Sequence, residues 1–109
     1  MIATSAAVAE LGQVEPPPRR PTLKQALARA RPGTVTAARD GVRPVALVVL
    51  HDRRAYAVDD ACPHDGGSLS DGFLDGDRLV CARHGWEVDP CSGACRGDRL
   101  DARFVGSVR

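Results

Sequence analysis

Two short stretches constrain this chain more than anything else in it. Cys62-Pro63-His64 and Cys81-Ala82-Arg83-His84 make a C-x-H … C-x-x-H pair, with sixteen residues between His64 and Cys81. Each stretch offers one thiol and one imidazole, both metal ligands. For the four side chains to serve one site, the chain between them must leave the first loop and come back at the second. Gly72-Phe73-Leu74 and Arg78-Leu79-Val80 read as a hairpin around Asp75-Gly76-Asp77, with glycine where the turn needs positive φ. The fold must therefore present two loops face to face at strand ends.

The rest of the chain also reads as short strands. Its 109 residues include 11 Gly and 8 Pro but only two Phe, one Trp and one Tyr, so turns are frequent and the core must come from Val, Leu and Ala. That is one small domain of all-β type, in which a bound metal would supplement a modest core. Thr34 to Ala38 alternates weakly, and Asp40-Gly41 marks a turn. Val45 to Leu50 is the most apolar run and the best central strand. His51 to Arg54 turns the chain, Ala55 to Val58 returns it, and Asp59-Asp60-Ala61 delivers Cys62. Trp86-Glu87-Val88 and Leu100 to Val105 supply the last strands.

Ahead of the strands, Thr22 and Gln25 form a capping-box pattern, and Leu23, Ala26, Leu27 and Ala30 fall on one face. A short helix follows from this, ended by Pro32-Gly33 and packed on the β domain. Residues 1–21, with Pro16-Pro17-Pro18, read as an extended arm carrying no chemistry. The domain is then 22–109, and the ligand-bearing subdomain about 59–93.

A net charge of +1 gives no reason to invoke nucleic acid, and no apolar run is long enough to cross a membrane. Arg19-Arg20-Pro21-Thr22-Leu23-Lys24 faintly resembles a twin-arginine signal, but charges at Arg29 and Arg31 interrupt the segment behind it. The expected location is cytoplasmic, where thiols stay reduced. Asp59, Asp60, Asp65, Asp71, Asp75 and Asp77 crowd residues 55–77, which hold no Lys or Arg. They read either as solvated turn residues or as a surface that steers a basic partner.

Zinc accepts two cysteines and two histidines. A diiron cluster is favoured by the tight C-x-H spacing and by one Cys and one His in each loop. Gly66, Gly67 and Gly85 beside the ligands also let backbone N–H groups approach bridging sulfides. At this point the pattern Cys62-Pro63-His64-Asp65-Gly66-Gly67-Ser68-Leu69, Gly72, Cys81-Ala82-Arg83-His84-Gly85-Trp86, Asp89 and Ser92-Gly93 resembles the Rieske [2Fe–2S] family. The resemblance is strong over 58–93 and extends back to about Thr34. It implies a small antiparallel β-sandwich with a cluster-binding subdomain at its tip, and one [2Fe–2S] cluster per chain. Cys62 and Cys81 would hold the inner iron, and His64 and His84 the outer iron near the surface.

The resemblance also implies function. Neutral imidazoles in place of two thiolates leave the oxidised cluster nearly neutral, which makes it easier to reduce than a four-thiolate cluster. High-potential relatives carry a disulfide between the loops and hydroxyl donors to the cluster. Gly67 and Arg83 stand at the disulfide positions, and Trp86 and Val88 at the hydroxyl positions. A low-potential centre follows, of the kind found in Rieske-type ferredoxins that pass single electrons from a flavin-containing reductase to a terminal oxygenase. The alternative is a Rieske subunit of a multi-component oxidoreductase. An oxygenase's own iron needs two further histidines and a carboxylate, whereas only His51 remains.

Cys91 and Cys95 flank Ser92-Gly93-Ala94, and thiols are expected there rather than a strained disulfide. Trp86 is expected to shield the cluster or pack beneath it, and Leu69 to close an apolar lid. Sixteen residues follow Gly93, enough for one strand, which would leave a sheet edge open to a partner or to a second copy in a homodimer.

Overall fold

The computed structural model describes residues 20–62 and 67–109. The arm before Arg20, and His64 with its immediate neighbours, lie outside the described residues. Among those described, a seven-residue helix, α1 (Leu23–Arg29), precedes nine strands: β1 (Thr34–Asp40), β2 (Arg43–Val49), β3 (Arg54–Asp59), β4 (Phe73–Asp75), β5 (Arg78–Val80), β6 (Glu87–Val88), β7 (Ala94–Cys95), β8 (Asp98–Arg99) and β9 (Ala102–Ser107). The expected helix is present with its capping box: Thr22 accepts from the Gln25 N–H, and Gln25 accepts from the Thr22 N–H.

The main sheet has four antiparallel strands in the order β1-β2-β3-β9. Asp40 pairs with Arg43 across a two-residue turn, where Gly41 takes φ 67°, as the Asp-Gly signal predicts. The side chains of β2 alternate between two cores, and this alternation organises the whole molecule. Val45, Leu47 and Val49 face one way, with Ala38, Ala55 and Ala57, and meet Ala26 of the helix, Leu23, Leu27 and Ala30 packing around them. Ala46, Val48 and Leu50 face the other way, with Tyr56 and Val58, and meet Leu69, Leu79 and Val88. The alanines on the helix side let α1 approach the sheet closely, while the larger residues opposite support a second β layer. Both faces are covered, so β2 shows an unbroken apolar run.

That second layer is the three-stranded sheet β4-β5-β6, followed by the β7–β8 hairpin. β9 then returns to pair with β3, bulging so that Ala55 faces Gly106 and Tyr56 faces Phe104. The Tyr56 and Phe104 rings meet edge to face with centroids 5.6 Å apart.

The C-terminal segment therefore holds more than the single strand expected from its length. Two-residue strands such as β7 and β8 leave too few positions for a period to show. Sheet edges do remain, at β1 and β9. Pro21 and Thr22 cover the end of β1: Arg39 donates its N–H to the Pro21 carbonyl at 3.0 Å, and Thr22 bridges Arg39. Among the described residues, β9 is paired on one side and carries a half-exposed Phe104.

Candidate metal centre

The first candidate ligand loop runs from β3 of the main sheet to β4 of the second layer, the second joins β5 to β6, and each is closed by its own backbone. In the first, the Cys62 N–H donates to the Gly67 carbonyl at 2.7 Å. A short 3-10 turn, Leu69–Asp71, follows, and the Gly72 N–H donates back to Leu69 at 2.9 Å. In the second, Cys81 donates to Trp86 and Gly85 donates to Cys81, each at 2.9 Å. Gly85 takes φ 74°, a conformation that costs a side-chain-bearing residue energy. Pairing of Leu79 with Val88 and of Val80 with Glu87 fixes the register of this loop.

Of the four residues expected as ligands, three are described. Cys62 and Cys81 are 2% and 1% exposed and belong to one packed cluster with Leu69, Leu79 and Val88. His84 is exposed at the rim of the second loop. The thiols thus lie inward and the imidazole outward. All four cysteines are thiols outside any disulfide. This donor set fits a cluster with a thiolate-ligated inner end and an imidazole-ligated outer end.

The neighbouring residues sort as follows. Leu69 is fully buried in the same cluster as the two thiols. Trp86 packs half-buried against that cluster, and the Arg96 guanidinium stacks 4.5 Å from its ring centroid. His51 lies in the turn between β2 and β3, and Cys62 lies beyond the other end of β3. A six-residue strand separates them, roughly 20 Å. Cys95, which the ligand pattern does not use, is a third thiol buried with Cys62 and Cys81. Burial pushes its pKa up, and the neighbouring Cys62 adds to the rise. Exposed Cys91 hydrogen-bonds Tyr56, and that bond together with burial raises the tyrosine's pKa.

The acidic run needs correction. Asp60 is a buried residue with a fully enclosed side chain, and Asp59 pairs with Arg43 at 3.1 Å. Asp71, Asp75 and Asp77 are exposed. A sequence window cannot reveal this, because the cations that neutralise Asp59 and Asp60 come from distant positions.

Arg96 and Gly97 form the β7–β8 turn with φ 47° and 89°. Arginine in this conformation costs about 1–2 kcal/mol, and stacking on Trp86 returns about 0.5–1 kcal/mol at an exposed site. Arg96→Gly is therefore expected to leave stability within about 1 kcal/mol of the parent. Its tryptophan fluorescence should nonetheless shift, as the ring loses its cover. An unchanged emission spectrum would show that the stack does not persist in solution.

Residues 22–105 match the Rieske [2Fe-2S] domain family. The chain belongs to that family, whose cofactor is a [2Fe–2S] cluster. It is 41% identical over 64 residues to the ferredoxin CarAc of Metapseudomonas resinovorans, covering 58% of this chain and 59% of that protein. It is 40% identical over 67 residues to a 4beta-methylsterol monooxygenase of Methylococcus capsulatus, covering 62% of this chain and 18% of that enzyme. The chain thus spans less than two thirds of either relative. Among solved structures, a chain from the complex of reduced oxygenase and oxidized ferredoxin in carbazole 1,9a-dioxygenase superposes with a TM-score of 0.60 and 33% identity, covering 70% of this chain and 82% of that one.

Proposed function

We propose that this protein is a Rieske-type ferredoxin, a one-electron carrier that takes electrons from a flavin-containing reductase and delivers them to a terminal oxygenase or similar enzyme. Cys62, His64, Cys81 and His84 are the proposed ligands. The observation that carries the reading is the polarity of the site, with two buried thiols below and an exposed imidazole at the rim. The bound cluster supplies the electron-accepting and electron-donating chemistry. The chain's residues hold it, keep water from its thiolate side through Leu69, Leu79 and Val88, and leave its imidazole side open to a partner. Similarity to a ferredoxin over 58% of the chain supports the carrier role. Four cysteines outside any disulfide accord with a reducing, cytoplasmic setting, and among the described residues no helix is long and apolar enough to cross a membrane.

The similarity to a monooxygenase favours a second arrangement, in which the same electron-transfer unit is a tightly held part of an oxygenase. The two separate on purification. A carrier isolates alone and supports oxygenase turnover when mixed with a reductase, whereas a subunit co-purifies with its enzyme. Pairing of a second copy along β9 would double the mass seen by light scattering.

The reduced protein is expected to give the low-average-g EPR signal of a Rieske centre. Its midpoint should lie below about +150 mV, within a family range of roughly −150 to +300 mV. Gly67 and Arg83 provide no disulfide between the loops, and Trp86 and Val88 provide no hydroxyl donors. A midpoint above that value would refute the low-potential assignment, and colourless zinc-loaded protein from iron-replete cells would refute the cluster.

A further inference from the structure

We propose that Arg20, Asp60 and Ser70 form a lock across the neck of the first ligand loop, which makes Arg20 a positioning residue for the cluster. The proposal rests on the reading of Cys62 and His64 as ligands. Asp60 stands two residues before Cys62, and Ser70 lies in the turn through which the loop leaves. The Asp60 side chain is fully enclosed, and its two oxygens bind across that neck. Oδ1 accepts the Ser70 N–H at 2.7 Å, and Oδ2 accepts the Ser70 hydroxyl at 2.7 Å. Arg20 Nη1 also donates to Oδ2, forming an ion pair. The Arg20 guanidinium reaches the Val45 carbonyl at 3.4 Å, and the Arg20 carbonyl accepts from Arg39 Nε at 3.1 Å. One carboxylate therefore joins the segment before the helix, the loop's entrance and its exit.

A surface ion pair would matter little, but this one is buried at the carboxylate end. A carboxylate enclosed without its cation is strongly unfavourable, and the structure escapes the penalty by letting water in or by moving the chain. Either response opens the neck beside Cys62. Removing both charges together leaves nothing to solvate, so the neck can stay closed around the serine hydrogen bonds.

The test uses full-length protein carrying its cluster, with bleaching of the visible absorption followed in excess iron chelator. Arg20→Met is expected to bleach roughly tenfold faster than the parent, as for loss of a partner that supports a metal ligand. It should also show a shifted or broadened EPR spectrum. Arg20→Met/Asp60→Asn should recover to within about threefold of the parent, since no unpaired charge stays buried. Arg20→Lys, which keeps the cation and folds if Arg20→Met does not, should fall between parent and Arg20→Met. Equal bleaching rates with parental line shapes would overturn the lock. So would an Arg20→Met protein whose apo form unfolds at lower temperature while its bleaching rate is unchanged, because the pair would then hold the fold and not the loop. A parent lacking the Rieske spectrum would overturn the ligand reading itself, a failure visible before any variant is made.

Discussion

A Cys81→Ser protein is expected to purify colourless and to retain no iron. A serine hydroxyl is a poor substitute for the thiolate that iron–sulfur clusters require, and Cys81 is 1% exposed, so no water-borne ligand replaces it easily. The substitution changes volume little, and the chain should still fold. Its thermal midpoint should match that of parent protein stripped of its cluster, since metal binding and folding stability are linked. Cys95→Ser is the decisive control. Cys95 is as buried as Cys62 and Cys81 and belongs to the same apolar cluster, so burial alone does not distinguish the three thiols. The ligand assignment predicts that Cys95→Ser keeps its colour and iron content. Loss of the cluster in Cys95→Ser, or its retention in Cys81→Ser, would show that the wrong thiols have been assigned.

Gly72→Ala is expected to have the second large effect, through a residue that binds nothing. A Cβ at this position would lie 2.1 Å from the Val80 carbonyl oxygen and 3.1 Å from that of Leu69. Both obstacles are backbone, so no side chain can rotate to relieve the overlap. The strand must move, and Val80 immediately precedes Cys81. A loss of about 3 kcal/mol is expected, at the upper end of overpacking costs, measured by denaturant unfolding of the apo protein. The cluster content of the purified protein should fall with it. Gly76→Ala isolates steric overlap from backbone conformation. Gly76 has φ 62°, but a Cβ added there would meet nothing within 4 Å. Its cost should be about 1–2 kcal/mol, that of the left-handed conformation alone, with the cluster retained.

The elements visible in the sequence are those specified by near neighbours. Asp40-Gly41 and Asp75-Gly76 sit at turns, and Thr22 with Gln25 caps the helix, because three or four adjacent residues decide each of them. The second candidate ligand loop is equally local, with its register held by two residue pairs between β5 and β6. What escaped depends on residues far apart. Asp60 looks like one more exposed acid until Arg20, forty positions earlier, closes on it. Cys95 looks like half of a turn until the hairpin carries it in beside Cys62 and Cys81. The β9 bulge, which sets Tyr56 opposite Phe104, depends on the pairing of two strands far apart in the chain, which no single strand's pattern contains.

The alternation along β2 has a consequence for how the protein comes to hold its metal. One core lies between the sheet and the helix, and it contains no proposed ligand. The other contains both proposed thiol ligands, Cys62 and Cys81, together with Cys95. The helix-facing half, which draws on the helix, β1, β2, β3 and on Val105 and Val108 near the C-terminus, can therefore pack without the metal. The opposite half has the proposed thiol ligands among its packed side chains, so its stability is the part linked to metal binding. Loss of the cluster would then loosen one side of the molecule and leave the helix-facing core packed.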